Sequence, residues 1–150
     1  AYISQEINKT MEGSKVNVRD VLLNITGASI GRVCVVPFDI CPANVNQHVS
    51  VIRLKSEILS EYLSFYISNP FFQKFILDSQ AGATRQALTK ALIESVMIPS
   101  PPLDGQQRSV AILNEKMAAV QQARRAAEEQ LRAVQALPAA YLRQAFAGEL

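Results

Sequence analysis

The sequence predicts an α+β fold: a small mixed or antiparallel β-sheet with packed helices, followed by a long C-terminal coiled-coil helix. Three observations carry this reading. Short valine-rich runs separated by glycine and proline turns occupy residues 1 to about 55. From Ser60 the apolar residues change to helical spacing. Beyond the stiff break Pro99-Ser100-Pro101-Pro102 a heptad pattern begins.

The strands come first. VLLNI (Val21 to Ile25) and RVCVV (Arg32 to Val36) flank TGASIG, a turn with two glycines. Pro37 to Pro42 is a second turn region. HVSVIRL (His48 to Leu54) alternates with period two, which places Val49, Val51 and Arg53 on one side. Helices follow. Leu63, Tyr66 and Ile67 fall at helical spacing behind an N-terminus at Ser60 and Glu61. Asn69 caps a second helix with Pro70 at its first position, where the missing N–H costs nothing, and that helix runs to about Leu77. The stretch GATRQALTK (Gly82 to Lys90) leads into a short helix through Ile93, and Val96-Met97-Ile98 reads as strand-like.

The clearest periodicity is the last. Val110, Leu113, Met117, Val120, Arg124, Ala127, Leu131 and Val134 are separated by alternating steps of three and four, with Glu, Gln and Arg on the faces between. This is a heptad seam. A helix from about Gln106 to Leu137 would be roughly 48 Å long at about 1.5 Å per residue, and Pro138 would end it or start a new turn. Arg124 is the polar departure; it either sets register against a carboxylate on a partner helix or tilts out of the seam. One helix cannot cover its own seam, so a second is required, from a neighbouring segment or a second copy of the chain.

Composition narrows the function classes. Apolar residues make up 49% and charged residues 19% of the 150, as in a soluble globular domain with or without an appendage. No apolar run reaches the roughly 18 to 20 residues of a membrane span, and no signal-peptide pattern opens the chain. Cys34 and Cys41 have no CxxC spacing, and His48, the lone histidine, cannot complete a zinc site with them; they read as two buried or half-buried thiols in a reducing cytoplasm. Residues 1 to 105 carry nine Lys/Arg and nine Asp/Glu. That balance is weak for a nucleic-acid binder, so any DNA contact must rest on local clusters.

No catalytic constellation, metal set or cofactor motif is legible. Gly27-Ala28-Ser29-Ile30-Gly31 has the letters of a GxSxG nucleophile elbow, but that motif needs a following helix, and a valine-rich strand follows here. Asn69-Pro70-Phe71-Phe72 resembles the Asn-Pro-Pro-aromatic motif of amino-methylating DNA methyltransferases without its second proline, and a capped helix start explains it. What remains are polar clusters suited to a polyanion. GATRQALTK contains no acid; Thr84, Arg85, Gln86 and Lys90 could donate to phosphates, helped by a helix beginning near Ala87. Gln86 suits an adenine edge and Arg85 a guanine edge. Asn44, Asn46, Gln47 and His48 form a second cluster, and Arg32 beside the glycine turn is a third candidate. The competing reading is that these residues cap turns or are simply solvated.

The order VRDVLLNITGASIGRVCVVP, ANVNQHVSVIRLK, GATRQALTKALIESVMIPSPPLDGQQRSVAIL, LPAAYLRQAFAGEL resembles the specificity subunit of type I restriction–modification enzymes over nearly the whole chain. One departure is Asp104-Gly105-Gln106, where the family usually has a glutamate before the glutamine, and which softens the helix start. The resemblance implies two target recognition domains per subunit, each reading half of a split double-stranded DNA site, with two long antiparallel helices between them. It implies docking to methyltransferase and restriction/translocase subunits, no catalysis and no cofactor in the subunit itself, and a cytoplasmic location away from any membrane. On this reading residues 1–100 are the C-terminal portion of a recognition domain, and 101–150 are the distal conserved region with its spacer helix and tail. The start of that recognition domain would then lie before Ala1, so the chain is either a fragment or a half-subunit pairing with a second copy through the antiparallel helix. GATRQALTK falls where the recognition domain meets the spacer, which favours phosphate or docking contacts over sequence reading. The rival reading is an assembly module of the same complex with little DNA affinity.

Overall fold

The computed structural model describes residues 3–79 and 87–149. By internal contacts the chain divides into two units, Ala1–Val110 and Ala111–Leu150. The first is the α+β unit expected from the sequence. It begins with α1 (Gln5–Thr10), whose cap Ser4 accepts from the Ile7 N–H at 3.3 Å. This helix lies in the stretch expected to be β-rich. A polar segment with a serine cap, Glu6 in its first turn and Lys9 in its last satisfies its own ends.

Two small sheets follow. β1 (Lys15–Val16) pairs antiparallel with β4 (Ala43–Asn44). The larger sheet has the order β3-β2-β5, all antiparallel, with β2 (Val21–Asn24) central between β3 (Val33–Val35) and β5 (Val49–Ile52). A tight turn at Gly27–Ser29, not a nucleophile elbow, joins β2 to β3. β2 alternates buried and half-buried, with Val21 and Leu23 inward. β5 does not show the expected alternation, and all four of its residues are half-buried, as suits an edge strand partly covered on each side. Cys34 is exposed on the other edge strand, while Cys41 is half-buried with its thiol 3.6 Å from the Val16 carbonyl; the expectation of two covered thiols fails for Cys34.

The core forms where this sheet meets α2 (Ser60–Ser68) and α3 (Pro70–Asp78). Val21, Leu23, Leu63, Ile67, Ile76 and Leu88 are buried together. Asn69 caps α3 as its sequence suggests, its Oδ1 accepting from the Phe71 N–H at 2.9 Å. Two expectations are corrected here. Val96–Ile98 forms no strand: the tyrosines of α2 reach this segment, Tyr66 donating to the Met97 carbonyl at 3.3 Å and Tyr62 to the Pro99 carbonyl at 3.1 Å. No helix begins at Ala87; α4 starts at Lys90 and ends at Glu94, capped by Thr89 Oγ1 accepting from the Leu92 N–H.

One end of the sheet is fastened by an ion pair. Asp20 is buried and takes two hydrogen bonds from Arg53, at 3.0 Å from Nε and 2.7 Å from Nη2, and a third from the Asn17 N–H at 2.7 Å. The Arg53 hydrogen bond holds the Asp20 carboxyl below the usual carboxylate range, overcoming the opposite push of burial.

α5 (Leu103–Ala147) starts earlier and ends later than its heptads suggest, and it continues through Pro138. A proline inside a helix forfeits one backbone bond and crowds the preceding turn. Here alanine, leucine, arginine and glutamine on both sides are strong helix formers that propagate past it. The first turn is anchored by Gln106, which is fully buried. Its Oε1 accepts from the Leu59 N–H at 2.9 Å, and its Nε2 donates to the carbonyls of Glu57 at 2.9 Å and Pro101 at 2.8 Å. The Asp104-Gly105 departure leaves the helix start intact, and a Cβ at Gly105 would meet only ordinary contacts, the nearest at 3.6 Å.

In the second unit the seam residues face solvent on this chain. Leu113, Met117, Val120, Leu131 and Val134 are between 39% and 61% exposed and Ala127 is exposed, while Val110, at the end of the first unit, is half-buried. Arg124 pairs with Glu128 one turn along its own helix, Nε to Oε1 at 2.8 Å. No helix among the described residues is long and apolar enough to cross a membrane.

Replacing Gln106 with alanine leaves one N–H and two carbonyls without their buried partner. We expect a loss of about 2–4 kcal/mol, read as a lower urea midpoint, with Gly105→Ala moving the midpoint upward by about 0.5–1 kcal/mol.

Candidate nucleic-acid interface

The residues expected to contact a polyanion come from distant parts of the sequence, and β2 gathers several of them at one end. Where β2 leaves the sheet, the Asn24 N–H donates to the Arg32 carbonyl at 2.8 Å, and the Asn24 carbonyl accepts from the Gly31 N–H at 2.9 Å. The Ile25 N–H donates to the His48 carbonyl at 2.8 Å, and its own carbonyl accepts from the Leu88 N–H at 2.9 Å. Thr26 and Ala87 form an isolated antiparallel bridge. Three segments therefore meet here: the glycine turn, the entry to β5, and the residues directly after Gln86. Thr84, Arg85 and Gln86 themselves lie outside the described residues.

The side chains at this end form a connected set. Thr26 Oγ1 and His48 Nδ1 are 2.6 Å apart, and Gln47 Nε2 lies 3.3 Å from His48 Nε2. Asn46 Oδ1 accepts from the His48 N–H at 3.0 Å, and Asn24 Oδ1 from the Thr26 N–H at 3.4 Å. Together Asn24, Thr26, Gly27, Ser29, Asn46 and His48 help line an open cleft of about 410 Å³. Its lining holds hydroxyl, amide and imidazole groups and no acid. Such groups can donate to phosphate oxygens and to base edges.

The two glycines of the turn are required for different reasons. Gly27 has φ +72°, and a Cβ there would meet no atom within 4 Å, so backbone conformation alone demands it. Gly31 has φ +83° and is buried; a Cβ there would stand 2.7 Å from Gln73 Oε1. Gln73 of α3 donates to the Gly31 carbonyl at 3.0 Å and to the Ile67 carbonyl at 2.7 Å, tying the turn to the helices behind it.

The sequence-derived candidates divide accordingly. Arg32, Asn46 and Gln47 are exposed at this end of the sheet. Lys90 is exposed three residues beyond the Ala87 bridge, 3.6 Å from Glu94 in a surface pair of little energetic weight. Asn44 is used structurally: Ser14 Oγ donates to it, and its amide is held by Asn8 of α1. Thr26 escaped sequence reasoning, because nothing in its spacing shows that it meets His48 across the sheet. Among the described residues no group of three or more His, Cys, Asp or Glu gathers to hold a metal ion.

A family profile described as "Type I restriction modification DNA specificity domain" matches residues 3–128. The chain belongs to this family. Among similar specificity-domain proteins is the type I restriction enzyme EcoBI specificity subunit of Escherichia coli, 30% identical over 151 residues, covering 99% of this chain and 31% of that one. A solved structure from work on complex assembly and conformational transition of the type I R-M system superposes with a TM-score of 0.77 at 26% identity, covering 91% of this chain and 33% of that one. This specificity-domain chain thus spans about a third of the length of either.

Gly31→Ala is expected to destabilise the unit by about 1–3 kcal/mol, through strain at positive φ and the clash with Gln73. Gly27→Ala, strained but unobstructed, should cost about 1 kcal/mol. Thermal unfolding of the two variants should rank them in that order.

Proposed function

We propose that this chain is a sequence-specific DNA recognition module of a type I restriction–modification complex, without catalysis of its own. Its long helix would serve as a pairing and docking element for the methyltransferase and restriction/translocase subunits. The observation that carries the reading is the meeting, in a chain of the DNA specificity family, of the donor-bearing glycine turn and entry to β5 at one end of a single sheet, where Ala87 bridges to Thr26. Arg32, Asn46, Gln47 and Lys90 are the described candidates for contact, and Thr84, Arg85 and Gln86 adjoin the same bridge in sequence. Full-length chain should bind random duplex at low salt. Lys90→Ala should weaken that binding uniformly across sequences and lower the slope of log K against log salt by about 0.9, the value of one lost phosphate contact. A base-reading residue would instead shift preference at one base pair by about 1–3 kcal/mol. The second reading, an assembly module with little DNA affinity, is favoured by the equal count of acids and bases over residues 1 to 105. Absence of any shift of random duplex at low salt would select it.

The seam supports pairing with a second copy, antiparallel about a two-fold axis near position 122. That arrangement sets Val110 against Val134, Leu113 against Leu131, Met117 against Ala127 and Val120 against Arg124. Like meets like at the ends, and large meets small near the middle. A parallel, in-register pair would oppose Arg124 to itself, a like-charge contact that disfavours it. In chains whose Cys34 and Cys41 are replaced by serine, mixing Leu113→Cys with Leu131→Cys should give an oxidised cross-link. Neither variant alone should cross-link; self-linkage of Leu113→Cys, or a monomeric solution mass, would overturn the pairing.

A further inference from the structure

The opposite end of the central sheet carries a feature that the recognition cleft does not explain. Arg19 has φ +69° and is, among the described residues, the non-glycine residue held in the left-handed region. For an arginine this conformation is strained, and a glycine would adopt it without that strain. It is enforced by its surroundings: the Arg19 N–H donates to the Val36 carbonyl at 2.9 Å, and the Arg19 carbonyl accepts from Ser60 Oγ at 2.5 Å. Strain maintained where a cheaper residue would serve directs attention to the side chain it displays.

That side chain is 62% exposed and helps line an open cleft of about 330 Å³ together with Arg53, Lys55, Ser56 and Glu61. Arg53 is clamped: its Nε and Nη2 are committed to buried Asp20, and Nη2 also reaches the Lys15 carbonyl at 3.3 Å. Its Nη1 has no hydrogen-bond partner among the described residues, and its side chain is 56% exposed. A guanidinium fixed along one edge and open on the other is a preorganised anion donor. Lys55 is exposed and in no ion pair among the described residues. Glu61 is the half-buried second acid of the cleft beside Asp20, and it meets Arg19 only at 3.6 Å, longer than a charge-assisted hydrogen bond.

We propose that Arg19, Arg53 and Lys55 form a phosphodiester-binding site, distinct from the cleft at Thr26 and His48. This rests on the DNA-recognition reading above. Because β2 pairs with β5 as Val21↔Ile52 and Asn24↔Val49, the two sites lie at opposite ends of the same strand pair. Four residues of strand separate those ends by about 13 Å at roughly 3.3 Å per residue. A duplex carries a charge every ~1.7 Å of its axis, so phosphates are available at both ends of such a span. One end would read base edges while the other fixes register on the backbone, the usual division between specifying and positioning contacts. Glu61 acts as the resident anion that a phosphate displaces from Arg19.

The test uses the full chain and a random duplex over a series of salt concentrations. Arg19→Gly should raise the thermal midpoint by relieving strain, yet weaken binding roughly fivefold near 0.15 M salt and reduce the salt slope by about 0.9. Lys55→Ala should weaken binding similarly with the midpoint unchanged. Glu61→Gln should tighten binding by removing the competitor. Wild-type binding that none of the three variants alters overturns this site and leaves the recognition reading standing. A wild-type chain that binds no duplex overturns both.

Discussion

Gln106 fixes where the long helix begins. Its amide is fully buried, and three hydrogen bonds join it to the loop before α2 and to the proline segment. The prolines make this possible. Pro101 and Pro102 have no N–H to satisfy, but their carbonyls serve as acceptors: Pro101 for the Gln106 amide, Pro102 for the N–H groups of Gly105 at 2.8 Å and Gln106 at 3.1 Å. A stiff segment that cannot join a sheet therefore presents oxygens at fixed positions, and the first turn of α5 forms against them. A buried polar group of this kind is costly unless every strong donor is used, and here both amide hydrogens are. The first turn of the helix is consequently held by directional bonds, and the apolar residues farther along stay available for another surface.

β2 plays the corresponding part within the sheet. Its four residues supply core side chains on one face, while its two ends organise separate polar sites. At one end the buried Asp20 aligns Arg53 and supports the turn that displays Arg19. At the other, Asn24, Ile25 and Thr26 receive the glycine turn, the entry to β5 and the segment at Ala87. A strand buried at its middle can hold exposed groups at its ends with little freedom, because its register is fixed by Val21 and Leu23 facing the core. This is how a small sheet can hold polar groups more firmly than loops alone would.

How far this was legible in the sequence follows from the range of the interactions. The three strands of the main sheet, the helices α2 and α3 and the heptads of α5 are written locally, in valine runs, in the Asn69-Pro70 cap and in alternating steps of three and four. α1 is not, since its six residues include a single apolar one, Ile7, and so carry no apolar period, and only the Ser4 cap marks it. Val96–Ile98 has strand composition, but its Met97 carbonyl is engaged by Tyr66, and the adjoining Pro99 carbonyl by Tyr62, 31 and 37 residues earlier, a long-range choice that propensity cannot express. The site divides in the same way. Asn46, Gln47 and Arg32 stood out as donors beside turns, whereas the meeting of Thr26 with His48 and the clamping of Arg53 by Asp20 depend on strand pairing. Lys90 keeps its place as a candidate, but the helix expected at Ala87 starts three residues later because Thr89 provides the cap.

The even charge of the first 105 residues is the strongest sequence argument against a DNA-binding surface, and the distribution of those charges weakens it. Electrostatic influence between exposed groups fades beyond about 10 Å at 0.1 M salt, so local sign matters more than the total. Asp20 is buried and neutralised by Arg53, while Asp78, Glu94 and Asp104 each sit one helical turn from a lysine or arginine. The lining of the cleft at Thr26 and His48 contains no acid, with Arg32 following in the same glycine turn. A polyanion approaching that end of the sheet would meet donors without opposing charge, and long-range attraction would be slight. Such a surface would gain little affinity from net charge and correspondingly more from hydrogen-bond geometry, which is the term that distinguishes one base pair from another.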